Sequence, residues 1–268
     1  MFRWIATTTL IFASAALIRA GDADTFQWQG DMTPGQTLSI RGINGSVTAD
    51  LAPGTQASVT AVKSGVKDDP SQVQIQVAPY DGGVLICAVY PAFGSSYPDT
   101  CNPPGTPGTR SEVMISSDVQ VQFTVHVPAG VLFSVIDVNG DIRASGLTAD
   151  VQATTVNGQI VISTGASGQA TTVNGSIVAT FGSTNWTGAH NFTTVNGSVD
   201  VTIPAGSNVI ARETTVSGTV SSDFPINVRN SSGWVCGIGG TANGVIGTGG
   251  GTINLTTVNG SVHLRKGQ

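Results

Sequence analysis

Apolar and polar residues take turns along much of this chain. "VQIQVAPY" (73–80) and "DVQVQFTVHVPAG" (118–130) alternate with the period of strands that bury one face. "QVAPYDGGVLICAVYP" (76–91) predicts a hairpin turning through Asp81, Gly82 and Gly83. No segment carries a convincing helical period, so an all-β chain is expected.

A second pattern takes over further on. "ATTVNGQIVIST" (153–164) is followed by "ATTVNGSIVAT" (170–180), "FTTVNGSVDVT" (192–202) and "LTTVNGSVHLR" (255–265). The Asn-Gly pair recurs at Asn44, Asn139, Asn157, Asn174, Asn196, Asn243 and Asn259, with Ser217-Gly218 as a variant. From residue 139 onward the spacing is roughly 20 residues, the range of solenoids and arrays. Just before each pair stands Ile43, Val138, Val156, Val173, Val195, Val216, Ala242 or Val258. Three residues after the Asn or Ser stands Val47, Ile142, Ile160, Ile177, Val199, Val220, Ile246 or Val262. The residue after the Gly is polar except at Val245.

Asn-Gly between alternating strands usually signals a hairpin. A hairpin here would set Val156 beside Gln159 and Val173 beside Ser176 on one face, mixing apolar and polar partners. A solenoid corner avoids this. Val156 and Ile160 then point inward, Gln159 points outward, and the Asn amides of successive coils hydrogen-bond along a stack. Gly supplies positive φ at the corner. The pattern therefore predicts a single-stranded, right-handed β-helix over residues 131–268, continuous with a β-rich N-terminal part over residues 21–130. Its corners are Asn139, Asn157, Asn174, Asn196, Asn243 and Asn259. One inward Val or Ile contributes about 1.5–3 kcal/mol, so coils must stack to share a core. About six coils make a rod about 29 Å long at ~4.8 Å per rung. Open ends need capping, and Arg265 and Lys266 are placed to blunt the C-terminal edge.

Composition narrows the function. Of 268 residues, 10% are charged, well under the usual quarter, while 40% are apolar and 35 are Gly. Thr, Ser, Asn and Gln supply the polarity. A net charge of −5 without a basic cluster excludes nucleic acid and anionic lipid as partners. Residues 1–20 read as a signal peptide. Arg3 precedes an apolar run too short to cross a bilayer, with cleavage after Ala15 or Ala20; a short membrane anchor is the other reading. No membrane span remains after cleavage, and the mature chain is expected to be secreted, periplasmic or at the cell surface. A disulfide between Cys87 and Cys101 is permitted there. It would close a loop rich in Pro, Gly and Ser and contribute about 3 kcal/mol. Cys236 is then left over as a small buried apolar residue.

"VHVPAGVLFSVIDVNGDIRASGLTADVQATTVNGQIVIST" (125–164) and "TINLTTVNGSVHLRK" (252–266) resemble adhesin-like proteins of unknown function with a strand repeat of about 20 residues. These are similar to autotransporter-adhesin head domains. The resemblance covers roughly residues 30–265. It implies a β-helix and an adhesive role, and it transfers no catalytic residue.

Candidate chemistry is sparse, and no cofactor or metal is expected. His126, His190 and His263 lie far apart, and the three Cys lack zinc-ligand spacing. "DVNGD" (137–141) has only the beginning of a calcium loop. Asp200, Glu213 and Asp223 fall on consecutive coils. Sharing a face, they would open the alternative of a lyase-like or glycosidase-like β-helix enzyme; the plainer reading is solvated outward positions. Trp186 in "FGSTNWTGAHNF" (181–192) and Trp234 in "SSGWVCGIGG" (231–240) stand in polar insertions. They either stack on a sugar or protein partner or cap the core where a coil bulges. The preferred expectation is an exported, non-enzymatic solenoid that binds a glycan or protein at a surface.

Overall fold

The β-branched residues that alternate along the sequence become strands, and a three-residue 3₁₀ turn (Pro70–Gln72) is the only helical element in the described residues. The computed structural model describes residues 24–91, 100–103, 117–230 and 239–267. The signal-peptide segment, Trp234 and Cys236 lie outside them. In chain order the strands are β1 (Thr25–Asp31), β2 (Thr37–Arg41), β3 (Val47–Leu51), β4 (Gln56–Ser64), β5 (Gln74–Tyr80), β6 (Gly83–Val89), β7 (Gln120–Val127), β8 (Leu132–Ile136), β9 (Ile142–Leu147), β10 (Val151–Thr154), β11 (Ile160–Thr164), β12 (Gly168–Thr171), β13 (Ile177–Phe181), β14 (Ala189–Thr193), β15 (Val199–Pro204), β16 (Val209–Ser217), β17 (Val220–Ser222), β18 (Asn227–Asn230), β19 (Gly240–Ile246), β20 (Gly251–Asn259) and β21 (Val262–Gly267).

They form two sheets. The first runs β1-β4-β7-β3-β9-β11-β13-β15-β21-β17, and the second runs β18-β19-β16-β20-β14-β12-β10-β8-β2-β6-β5. Each coil is one strand of the second sheet followed by one of the first, and neighbouring coils pair in parallel. This is a β-solenoid. Antiparallel strands flank it: β4 and β1 on β7, β5 on β6, and β19 and β18 on β16. The expected hairpin at residues 76–91 is β5–β6, with Tyr80 paired to Gly83.

Coil order in space departs from chain order at both ends. The β2/β3 coil lies between β6/β7 and β8/β9. The C-terminal β20/β21 coil lies between β14/β15 and β16/β17. Arg265 therefore does not blunt an open edge. It sits on an internal strand and donates from Nε and Nη2 to the Asp200 carboxylate on β15.

The residue three after each Asn builds the core. Phe123, Val47, Ile142, Ile160, Ile177, Val199, Val262 and Val220 are register partners across eight strands of the first sheet, and all are buried. The Val before the Asn or Ser at five corners behaves differently from expectation. Val156 is 38% exposed, and Val173, Val195, Val258 and Val216 match it. Alternation from Val151 and Ala153 turns Thr155 inward instead, and the Val falls on the outer edge. The buried hydroxyl is affordable because it donates to a carbonyl of the next coil. Thr155 donates to Gly140, Thr172 to Gly158, Thr194 to Gly175, Thr257 to Gly197 and Thr215 to Gly260.

The stacked amides are present. Asn139 donates to Asn44, Asn157 to Asn139, Asn174 to Asn157, Asn196 to Asn174 and Asn259 to Asn196, at 2.7–2.8 Å. The Gly beside each Asn is there mainly for close approach. A Cβ on Gly158 or Gly175 would collide with the Gly carbonyl of the adjacent coil. Asn243 is no corner. It lies mid-strand in β19, opposite Arg212, with Gly244 beneath Ile226. Straight alternation through Ala242 (in), Asn243 (out) and Ile246 (in) is possible there because Val245 faces outward. Cys87 and Cys101 are bonded, with Cα atoms 5.7 Å apart, and pack with Leu85.

Candidate ligand-binding face

The outer face of the second sheet inherits its chemistry from the same alternation. Thr154, Thr171, Thr193, Thr256, Thr214 and Thr241 are consecutive register partners from β10 to β19. Beside them runs an amide row. Gln152 pairs with Gln169, and Asn191 lies one residue before Phe192, the partner of Ala170. The row continues through Asn254, Arg212, Asn243 and Asn227. Asn254 donates to Asn191 at 2.9 Å. Strand spacing sets these groups ~4.8 Å apart, on a nearly uncharged surface of donors and acceptors.

The sequence carries a signal for this face that reading the corner alone misses. The repeat extends one residue earlier than the phrases quoted above, as "QATTVNG" (152–158 and 169–175), "NFTTVNG" (191–197), "NLTTVNG" (254–260) and "RETTVSG" (212–218). The first position is the outward amide and the second the inward core residue. The β16 coil alone replaces both, with Arg212 and Glu213.

Arg212 is exposed and Glu213 is buried. An open depression of about 530 Å³ lies over the paired strands here, lined by Ile210, Arg212, Glu213 and Thr214 of β16 and by Thr241, Asn243 and Val245 of β19. Glu213 takes the register position of Leu255 in β20. Neither of its carboxyl oxygens has a hydrogen-bond partner among the described residues, and burial pushes its pKa up to about 8.

The other sequence-predicted groups are not brought together. Asp200 and Asp223 lie on the first sheet's side with β21 between their strands, whereas Glu213 points into the core from the second sheet. The three acids share no face. Asp200 pairs with Arg265 at 2.6 Å, and Asp223 accepts from the Lys266 backbone and His263. Those bonds hold the Asp223 carboxyl below the usual range, the Lys266 N–H contributing most. Among the described residues no group of three or more His, Cys, Asp or Glu is placed to hold a metal. No helix among them is long and apolar enough to cross a membrane. Trp186 is 3% exposed, so its ring is not available for stacking on a partner. It packs edge-on against Phe181 and His190, and its Nε1 donates to the Ser183 carbonyl. The insertion folds back because an indole is worth more inside the widened coil than in water.

Asp137 is the second buried acid. It takes the corner position that Thr155 fills in the next coil, above Gly42. Burial raises its pKa to about 6, against the pull of the Val138 N–H.

No protein-family model matches the chain, and no curated protein matches it by sequence. Two solved structures are distantly similar to it. A candidate cell adhesion protein from Clostridium sporogenes ATCC 15579 is 11% identical, with 90% of this chain and 99% of that one covered at a TM-score of 0.45. A candidate adhesin from Bacteroides fragilis NCTC 9343 is 12% identical, with 90% and 96% covered at a TM-score of 0.26. Likeness this distant leaves function to be read from the chain's own surface.

Proposed function

We propose that this chain is an exported, non-enzymatic β-solenoid that works as an adhesion or surface-binding module. It engages a glycan through the amide and threonine rows of the second sheet. The observation that carries the reading is the extended outward row from Gln152 to Asn243, a straight ladder of hydrogen-bonding groups that is neutral except at Arg212. Such a ladder matches the hydroxyls of an extended saccharide, and it is built on rigid strands, so little ordering entropy is lost on binding. A hydrolase or lyase would need carboxyls facing one cleft, and the described acids are paired, buried or apart.

The test is a glycan array probed with the mature chain, alongside a Gln169→Ala, Asn191→Ala double variant checked for folding by circular dichroism. Retained glycans lost in the folded variant support the reading. Binding to no glycan, or cleavage of the retained glycans, overturns it.

A further inference from the structure

We infer that the open depression over β16 and β19 is a subsite for a carboxylate-bearing oligosaccharide, held through Arg212. This rests on the glycan-binding reading above and names the class of sugar. The repeat places an amide at this outward position in four coils, and only the β16 coil substitutes a cation. Arg212 is exposed. Its neighbours in the row are neutral: Asn254 on one side, Asn243 on the other. Arg229 on β18 stands on the same face, opposite Thr241. Two strand spacings and two residues separate the two Arg, about 12 Å between backbones. No outward acid occurs on β14, β20, β16, β19 or β18. The single carboxyl on these strands, Glu213, faces inward and holds its proton at neutral pH, so it does not offset the Arg.

The depression, about 530 Å³ and open to solvent, offers an extended chain a face to lie along, not an enclosed pocket. Its walls divide the work. A guanidinium takes a carboxylate through two parallel N–H···O bonds. Thr214, Thr241 and Asn243 offer hydroxyl and amide partners, and Ile210 and Val245 offer apolar contact to the C–H face of a sugar ring. An acidic peptide would use the cations but leave this run of hydroxyls and amides unmatched. The chain's net charge of −5 also disfavours indiscriminate polyanion binding, so attraction here is local to the two Arg.

Titration calorimetry of the mature chain with a galacturonic acid hexamer, cellohexaose and poly-glutamate separates the outcomes. The galacturonate hexamer should bind at low salt. Arg212→Gln should weaken it at least tenfold and Arg212→Lys by less, while Arg143→Gln on the opposite sheet leaves it unchanged. Hexamer binding that ignores Arg212→Gln, or poly-glutamate binding equal to the hexamer, overturns the inference. Cellohexaose binding without hexamer binding overturns it and leaves the glycan-binding reading standing. Failure of both sugars, together with an empty glycan array, removes both.

Discussion

Replacing Asp137 by Thr should stabilise the fold, and by an amount that depends on pH. The corner position it occupies is filled by Thr in five coils, each donating its hydroxyl to a Gly carbonyl of the neighbouring coil. An ionised carboxylate cannot donate. Its Oδ2 instead lies beside the stacked carbonyl of Gly45, near where a Cβ of Gly140 would be. Burial makes the group favour its protonated form when folded, with a pKa of about 6 against an ordinary 3.8. The sign follows from proton counting. Between those two values the native state binds more protons than the unfolded state, so stability falls as pH rises through the window. Above it the cost is constant at about 3 kcal/mol, from the shift at 1.36 kcal/mol per pKa unit. Thr removes that cost and adds one buried hydrogen bond of about 1 kcal/mol at every pH.

Urea unfolding of wild type and Asp137→Thr at pH 4 and pH 7.5 measures the difference. The advantage of the variant should be about 1–2 kcal/mol at pH 4 and larger by about 2–3 kcal/mol at pH 7.5. Comparing the two proteins cancels other acids, including Asp69 and Asp118, whose lowered values give stability that is lost as pH falls. Asp137→Asn should reproduce the pH dependence of the difference without the hydroxyl. A variant advantage that is the same at both pH values would refute the reasoning.

Glu213→Leu restores the residue type of its partner Leu255, and its advantage over wild type should widen by about 2–3 kcal/mol between pH 6 and pH 9, because a folded pKa near 8 makes stability fall as pH rises from 4.5 through 8; parallel melting curves at the two pH values would count against it. Asn174→Ala breaks two amide bonds of the corner ladder and should cost about 1–2 kcal/mol in a thermal melt, while Asn243→Ala, mid-strand and exposed, should stay within about 0.5 kcal/mol. Ile177→Asn buries an amide in the core row and should cost about 3 kcal/mol or more, whereas Ser176→Asn at the surface should cost little; equal melting temperatures would contradict the register. Replacing Cys87 and Cys101 together by Ser should lower stability by about 3 kcal/mol, and a reducing agent should then leave the variant's melting temperature unchanged.

How far the sequence could be read depended on how many positions each constraint touches. The inward Val or Ile was legible because eight copies share it and a polar residue precedes it in all but one. The Val before the Asn was misplaced for a physical reason. A buried Thr with a carbonyl partner is as stable inside as an aliphatic side chain, so polarity at Thr155 did not report its direction. The outward amide row was legible in principle, five residues ahead of each corner Asn. Asn243 shows the limit of a local signal, since Asn-Gly fits a straight strand wherever a large residue such as Ile226 covers the Gly.

Coil order was the least legible feature, because nearly identical phrases such as "FTTVNGSV" (192–199) and "LTTVNGSV" (255–262) encode a coil but not its rung. Two features remove the degeneracy. Strands β18 and β19 are antiparallel, and β19 must add to the free edge of β16, which puts the β16/β17 coil outermost and leaves the slot beneath it for the last coil. Charges then match that slot alone. Arg265 on β21 meets Asp200 below it on β15, and His263 meets Asp223 above it, beyond β17. Exposed pairs of this kind contribute little to stability. That suffices, because the choice lies between rungs whose cores are alike, and a small difference decides an order that the repeated apolar residues leave open.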